Sequence, residues 1–328
     1  MSWEGAAIHV LAALHSNETS PAGTSQRVAY SGAVLGWFLS AGVYIAARWA
    51  NAEMPPWTLC FWRLTLACAL LLPFVRHHFP VMLHLLRSRP IELLVVAGIG
   101  LTLCQGLLYT ALHFTDATTA GIIMALSPVM TMILARLILG ETLSGWQGVG
   151  AVLSLLGMIV IVAHGDLAAL VRLQVNPGEL LIFVSALSWA LYTVLLRRLK
   201  FDVERLPLLV LLLGAGAIVA APLYGLELIW DERSALDGKG LLALAYVAGP
   251  GGAFMYYLYN RSVDTLGASR AGMLLYLQAA FVALLAFLLL GESLHGYHVA
   301  GAAIIVCGLL IANMIRSTPN AASGRTSG

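Results

Sequence analysis

Ten apolar runs divide this chain, each about the 20 residues a helix needs to cross some 30 Å of hydrocarbon, and short clusters of charge, glycine and proline separate them. They fall near 28–50, 57–75, 91–112, 117–139, 145–163, 178–196, 207–228, 240–259, 267–290 and 297–315. None shows the two-residue alternation of a barrel strand. In lipid the backbone must satisfy its own polar groups, so each run predicts a helix. The fold class expected is all-α and integral to the membrane.

Sliding the chain along itself by 151 positions lays 117–157 on 268–308 without a gap, with 15 of 41 positions identical. Ala120-Gly121 meets Ala271-Gly272, Gly140-Glu141 meets Gly291-Glu292, and Gly150 and Gly157 meet Gly301 and Gly308. Shared hydrophobicity alone does not put a Gly-Glu pair and two later glycines in register, so the chain reads as a duplication. The same offset pairs Gly98 and Gly100 with Gly249 and Gly251, and an offset of 152 pairs Trp37 with Trp189 and Pro55 with Pro207. Five spans per half is an odd number, so the two halves enter the membrane in opposite orientations. Such inverted repeats recur in secondary transporters, where the site lies near the midplane between the halves.

Composition agrees with lipid as the solvent: 60% of the residues are hydrophobic, 10% are charged and the mean hydropathy is +0.87. The basic residues set the orientation, because cytoplasmic loops carry the excess of Lys and Arg. With the N-terminus inside, 13 of the 18 fall on the cytoplasmic side, Arg48, Arg172, Arg233 and Lys239 fall outside, and Arg63 lies within a span. A multi-pass protein of the cytoplasmic (inner) membrane with both termini cytoplasmic is expected. The net charge of +2 is spread between spans, and nucleic acid is not an implied partner.

The expected organisation is an N-terminal tail 1–27, a first repeat 28–163, an external linker 164–177, a second repeat 178–315 and a disordered C-terminal tail 316–328. The apolar stretch Ala6–His15 is short and lacks a basic leader, and it reads as a weak surface helix or a misassigned start. Cys60, Cys68, Cys104 and Cys307 lie inside apolar runs and read as packing residues rather than a disulfide or metal set.

Several stretches resemble a known family. Gly36-Trp37, Pro55-Pro56-Trp57, Phe61-Trp62-Arg63, Tyr109-Thr110-Ala111-Leu112, Leu126-Ser127-Pro128 and Leu139-Gly140-Glu141-Thr142-Leu143 are similar to the EamA-type proteins of the drug/metabolite transporter superfamily. The resemblance covers roughly 28–315, and a second copy of the last motif stands at Leu290-Gly291-Glu292-Ser293-Leu294. It implies a carrier without ATP or cofactor. The superfamily includes exporters of amino acids, YddG-type aromatic amino-acid exporters among them, and also uptake permeases for metabolites and vitamins.

Polar and aromatic side chains inside spans are expensive in lipid and usually face a cavity. Helical spacing gathers Trp37 and Tyr44, Gln105 and Tyr109, Ser127, Trp189 and Tyr192, Tyr256, and Tyr276 as candidate substrate contacts. Gly98, Gly100, Pro128, Gly249, Pro250 and Gly251 are candidate hinges, with close helix packing as the alternative. Pro128 aligns with Ala279, so a central kink is expected to be stronger in the fourth helix than in the ninth. Arg63 sits about 9 Å from the outer end of its helix by helix rise, and either snorkels to the interface or binds a substrate carboxylate. Glu141 and Glu292 read as caps of the fifth and tenth helices.

No H-E-x-x-H, G-x-S-x-G or phosphate-binding loop occurs, and every His lies in a tail, a loop or a span end, so an intramembrane enzyme lacks its parts. No metal or cofactor is called for, and the partners are a small-molecule substrate and the bilayer. A channel remains as another class, which the repeat disfavours. The expected activity is transport of small amphipathic metabolites, foremost neutral or aromatic amino acids, in the export direction by alternating access. No carboxylate or His reaches the midplane, so the expected driving force is the substrate gradient or exchange rather than protons. The orientation is tested by cysteine labelling: a cysteine placed near Asp237 should react with an impermeant thiol reagent from outside, and one near Lys200 should not. The reverse pattern would overturn the assignment.

Overall fold

The computed structural model describes residues 22–141, 145–164, 176–230, 238–266 and 276–314. These form ten membrane helices in two five-helix repeats of inverted topology. The first runs Ala22–Trp49. The second opens at Pro56, turns through a 3₁₀ stretch at Leu72–His78 and continues as Phe79–Ser88. The third spans Pro90–Ala111 and the fourth Ala117–Leu139. The fifth, sixth and seventh are Gly145–Val162, Pro177–Leu199 and Arg205–Trp230. The eighth reaches from Gly238 to Leu266, the ninth is described from Tyr276 to Leu290, and the tenth is Gly296–Met314. Eight are long and apolar enough to cross a membrane, and Leu277–Leu290 and Gly296–Gly308 are shorter apolar helices. Pro56, Pro90 and Pro177 begin their helices, where a missing N–H costs nothing.

Side-chain bonds between helix ends sort the loops onto two faces. On one, Arg48 and Asn51 donate to the Leu112 carbonyl, Lys239 pairs with Glu53, and Asn176 donates to the Phe114 carbonyl. On the other, Arg89 donates to the Leu199 carbonyl, Arg197 pairs with Glu141, and Ser262 donates to the Ala29 carbonyl. Successive helix ends alternate between these faces. Packing crosses the repeats in symmetry-related pairs: first with eighth and sixth with third, first with ninth and sixth with fourth, then second with seventh and fifth with tenth. At the last of these a Cβ on Gly157 would stand 2.7 Å from the Gly301 carbonyl oxygen, and one on Gly301 2.8 Å from that of Gly157. The glycines that set the repeat register are thus each other's contact.

Three local features bear on the sequence reading, the second of them as it expected. The second helix does not end at 75: Pro73 lacks the N–H for an α-helical bond, but the chain tightens into 3₁₀ geometry and resumes as a short helix that buries Met82 and Leu85. The fourth helix does break, between Met124 and Ser127. Pro128 cannot donate to the Met124 carbonyl, and the Ser127 hydroxyl donates to it instead. Glu141 and Glu292, finally, make their described side-chain contacts with helices other than the ones that follow them. Glu141 pairs with Arg197 of the sixth.

Glu292 reaches across to the start of the fourth helix. Its Oε1 accepts from the Ala117 amide at 2.9 Å, and its Oε2 accepts from the Thr118 amide at 3.1 Å and the Thr118 hydroxyl at 2.8 Å. Glu227 repeats the device at the start of the second helix, accepting from the amides of Trp57 at 3.2 Å and Thr58 at 2.6 Å and from the Thr58 hydroxyl at 2.9 Å. Each carboxylate satisfies orphan amides and meets the positive end of a helix dipole in the other repeat. Glu292→Ala should lower stability by about 1–2 kcal/mol and Glu292→Gln by less, read as the thermal unfolding midpoint in detergent. An unchanged midpoint for Glu292→Ala would show that the cap does not hold the repeats together.

Candidate functional site

A cavity of about 620 Å³ lies between the two repeats. Its deep end is formed by Arg63 of the second helix, Tyr44 of the first and Gln105 of the third, all buried. Its other end reaches Arg197, Lys200 and Arg205, at the exposed connection between the sixth and seventh helices. The cavity therefore opens on the Lys200 face, and the face held by Glu227 and Glu292 is shut. Trp37 packs edge-on against Tyr259 at 5.3 Å, and Trp189 lies tilted on Tyr192 at 5.2 Å. These rings give the wall an apolar, aromatic character.

Eight of the ten expected contacts line this one cavity: Trp37, Tyr44, Arg63, Gln105, Ser127, Trp189, Tyr192 and Tyr256. Tyr109 does not. It is buried behind the wall, and its hydroxyl has no hydrogen-bond partner. Tyr276 begins the described part of the ninth helix, and its side chain lies outside the described residues. Gln278 was missed. It donates to the Ser40 hydroxyl at 2.8 Å across the cavity wall. The repeat carried its signal, since Gln278 stands 151 residues after Ser127, just as Tyr256 follows Gln105. The cations Arg197, Lys200 and Arg205 were read for orientation alone, yet they stand at the cavity mouth.

Arg63 does not snorkel. Its residue exposure is 3%, its Nε donates to the Val247 carbonyl at 3.4 Å, and its Nη1 has no hydrogen-bond partner. The guanidinium carbon lies 5.9 Å from the Tyr256 ring centroid. Among the described residues no aspartate or glutamate lines the cavity. A buried cation with no carboxylate beside it is costly, and such groups mark ligand sites.

The glycine pairs take an unusual geometry. Gly98–Leu103 and Gly249–Phe254 are single π-helical turns at equivalent places in the two repeats, with the Cys104 amide bonded to the Ile99 carbonyl and the Met255 amide to the Pro250 carbonyl. Such bulges widen a helix, and here each directly precedes the cavity residues of its helix, Gln105 and Tyr256. Gly100 also permits a close approach, because any Cβ there would run into the Tyr192 ring.

A model of the EamA-like transporter family matches residues 27–163 and again 176–314. The Bacillus subtilis transporter YyaM is 25% identical over 289 residues, 87% of this chain and 94% of that protein. A Rickettsia prowazekii protein named as an S-adenosylmethionine uptake transporter is 24% identical over 275 residues, 82% of this chain and 88% of that one. A solved crystal structure superposes with a TM-score of 0.58 at 20% identity, covering 89% of this chain and 96% of the other, which is a likeness of fold.

The two bulges also separate packing from space. Gly100→Ala should cost about 1–3 kcal/mol by displacing Tyr192, whereas Gly249→Ala, whose Cβ meets nothing within 4 Å, should cost less. Thermal unfolding of the two variants in detergent compares them, and equal loss at both sites would discount the Tyr192 contact.

Proposed function

We propose that this chain, which belongs to the EamA-like transporter family, is a secondary carrier for small amphipathic metabolites that bear a carboxylate. The two inverted repeats alternate access to the cavity between them. Neutral and aromatic amino acids, and molecules of that shape, are the substrate class, and export is the direction. The carrying observation is Arg63, a buried guanidinium without a carboxylate partner at the closed end of an aromatic cavity. Its planar fork suits a carboxylate bound bidentately, and Trp37, Trp189 and Tyr256 offer faces to an apolar side group.

The face that bears Lys200 also holds most of the described basic residues, which favours placing it in the cytoplasm. On that reading the open state accepts substrate from inside the cell. The outward route opens once the Glu227 and Glu292 contacts release. The 1–27 tail, the two five-helix repeats and the 164–177 linker are the units of this proposal.

Uptake of a larger metabolite is a second reading, favoured by the Rickettsia relatives named for S-adenosylmethionine uptake. A cavity of about 620 Å³ has room for such a ligand. The absence of an acidic side chain on the described wall, which leaves a sulfonium only aromatic faces to meet, weighs against it.

A thermal-stabilisation screen of purified protein against amino acids, carboxylates and S-adenosylmethionine identifies the ligand. Arg63→Lys keeps the charge and loses the fork. Loss of charge-assisted bonds worth about 1.5–3 kcal/mol predicts roughly ten- to hundredfold weaker binding of a carboxylate ligand at normal expression. Unchanged affinity would return Arg63 to a purely structural role.

A further inference from the structure

The cavity wall carries charge of one sign. Arg63 closes the deep end, Arg197, Lys200 and Arg205 stand at the mouth, and no acidic side chain is among the described lining residues. Arg197 already pairs with Glu141. Arg63, by contrast, has no ion pair among the described residues; its Nε donates to the Val247 carbonyl and its guanidinium lies against Tyr256. A substrate that reaches the deep end meets this one guanidinium in a low-dielectric setting, where charge pairing is strong and an unmatched charge is costly.

The remaining polar groups on the wall are neutral, and several are already engaged. Gln278 donates to Ser40, Ser127 donates to the Met124 carbonyl, and Asn260 donates to the Tyr256 carbonyl. A monoanion bound here neutralises Arg63. An amino acid does not: its carboxylate offsets the guanidinium, but its ammonium, one carbon away, faces the same cation and finds no anion among the described wall residues. A free amine adds a second positive charge. The three forms should therefore rank as anion, then zwitterion, then cation.

On the reading that this cavity is the transport site and Arg63 its carboxylate anchor, we propose that the preferred substrate is an amine-free aromatic monocarboxylate, carried as the anion. No carboxylate among the described wall residues is placed to carry a proton with it, so one negative charge crosses with each substrate. An inside-negative membrane potential then drives that substrate outward, at equilibrium by about tenfold for every 60 mV or so. The export direction thus follows from substrate charge without a coupling ion.

The test pairs 3-phenylpropionate with phenylalanine and phenethylamine at pH 7.5. Thermal stabilisation of the purified full-length protein should need at least tenfold less 3-phenylpropionate than phenylalanine, and phenethylamine should give none. Arg63→Gln should abolish the difference, and Arg63→Lys, which retains the charge, should preserve the ranking at lower affinity. In proteoliposomes, corrected for leak through protein-free vesicles, a potassium diffusion potential set by valinomycin should drive 3-phenylpropionate toward the positive side. A pH difference clamped at zero potential should not concentrate it. Phenylalanine binding as tightly as 3-phenylpropionate, or flux of the acid indifferent to potential, overturns this inference while leaving a carrier anchored on Arg63. If no carboxylate binds in an Arg63-dependent way, the proposed role of the cavity itself fails.

Discussion

In hydrocarbon no water is present to satisfy a backbone amide or carbonyl, and the architecture follows from that constraint. Regular helices meet it along their length but not at their ends or breaks. At the starts of the second and fourth helices, Glu227 and Glu292 supply the missing acceptors from the other repeat. At the break before Pro128 the Ser127 hydroxyl supplies the missing donor. Backbone satisfaction and association of the repeats are therefore the same set of bonds on one face. Two of the three described π turns, Gly98–Leu103 and Gly249–Phe254, lie inside the bundle beside the cavity.

The sequence repeats the same Gly-Glu motif in both halves, but the structure puts the two copies to different use. Glu292 grips the start of the fourth helix, whereas its repeat partner Glu141 pairs with Arg197 at the cavity mouth. Equivalent sequence in inequivalent surroundings is what an inverted-repeat carrier would show if caught open to one side. In the proposed cycle the self-packed pairs, second with seventh and fifth with tenth, would be the surfaces on which the repeats rock. The Gly157–Gly301 contact brings the last of these backbones close enough to act as a fixed seam.

Much of this was legible in the sequence because lipid writes its demands over whole spans. Ten apolar windows and a register of glycines sufficed for the helices and the duplication, and helical spacing brought eight of the ten proposed contacts to one cavity. What escaped depended on pairing across the chain. Glu292 shows a carboxylate before a helix, and only tertiary structure reveals that the helix it caps begins 175 residues earlier. Arg63 left two outcomes open, because a charge within a span snorkels or lines a cavity according to neighbours that the local sequence does not name. Gln278 was visible through the repeat but hidden by its own surroundings, a run of leucine, alanine and phenylalanine that reads as packing. The continuation of the second helix past Pro73 escaped because His77, His78 and Pro80 look like a loop unless the 3₁₀ turn is known.

The proposed anchor also bears on how a carrier of this kind would cycle. An empty cavity leaves the Arg63 charge to be screened by water while the Lys200 face is open. Closing over an empty site would strip that water from an uncompensated cation, at a cost of several kcal/mol. Closing over a bound carboxylate would strip it from a neutral pair, which is far less costly. The loaded protein would therefore change orientation more readily than the empty one, and substrate held on the far side would speed the return. A single buried charge of fixed sign favours exchange over net flux when both sides hold substrate, and it does so without any second ion.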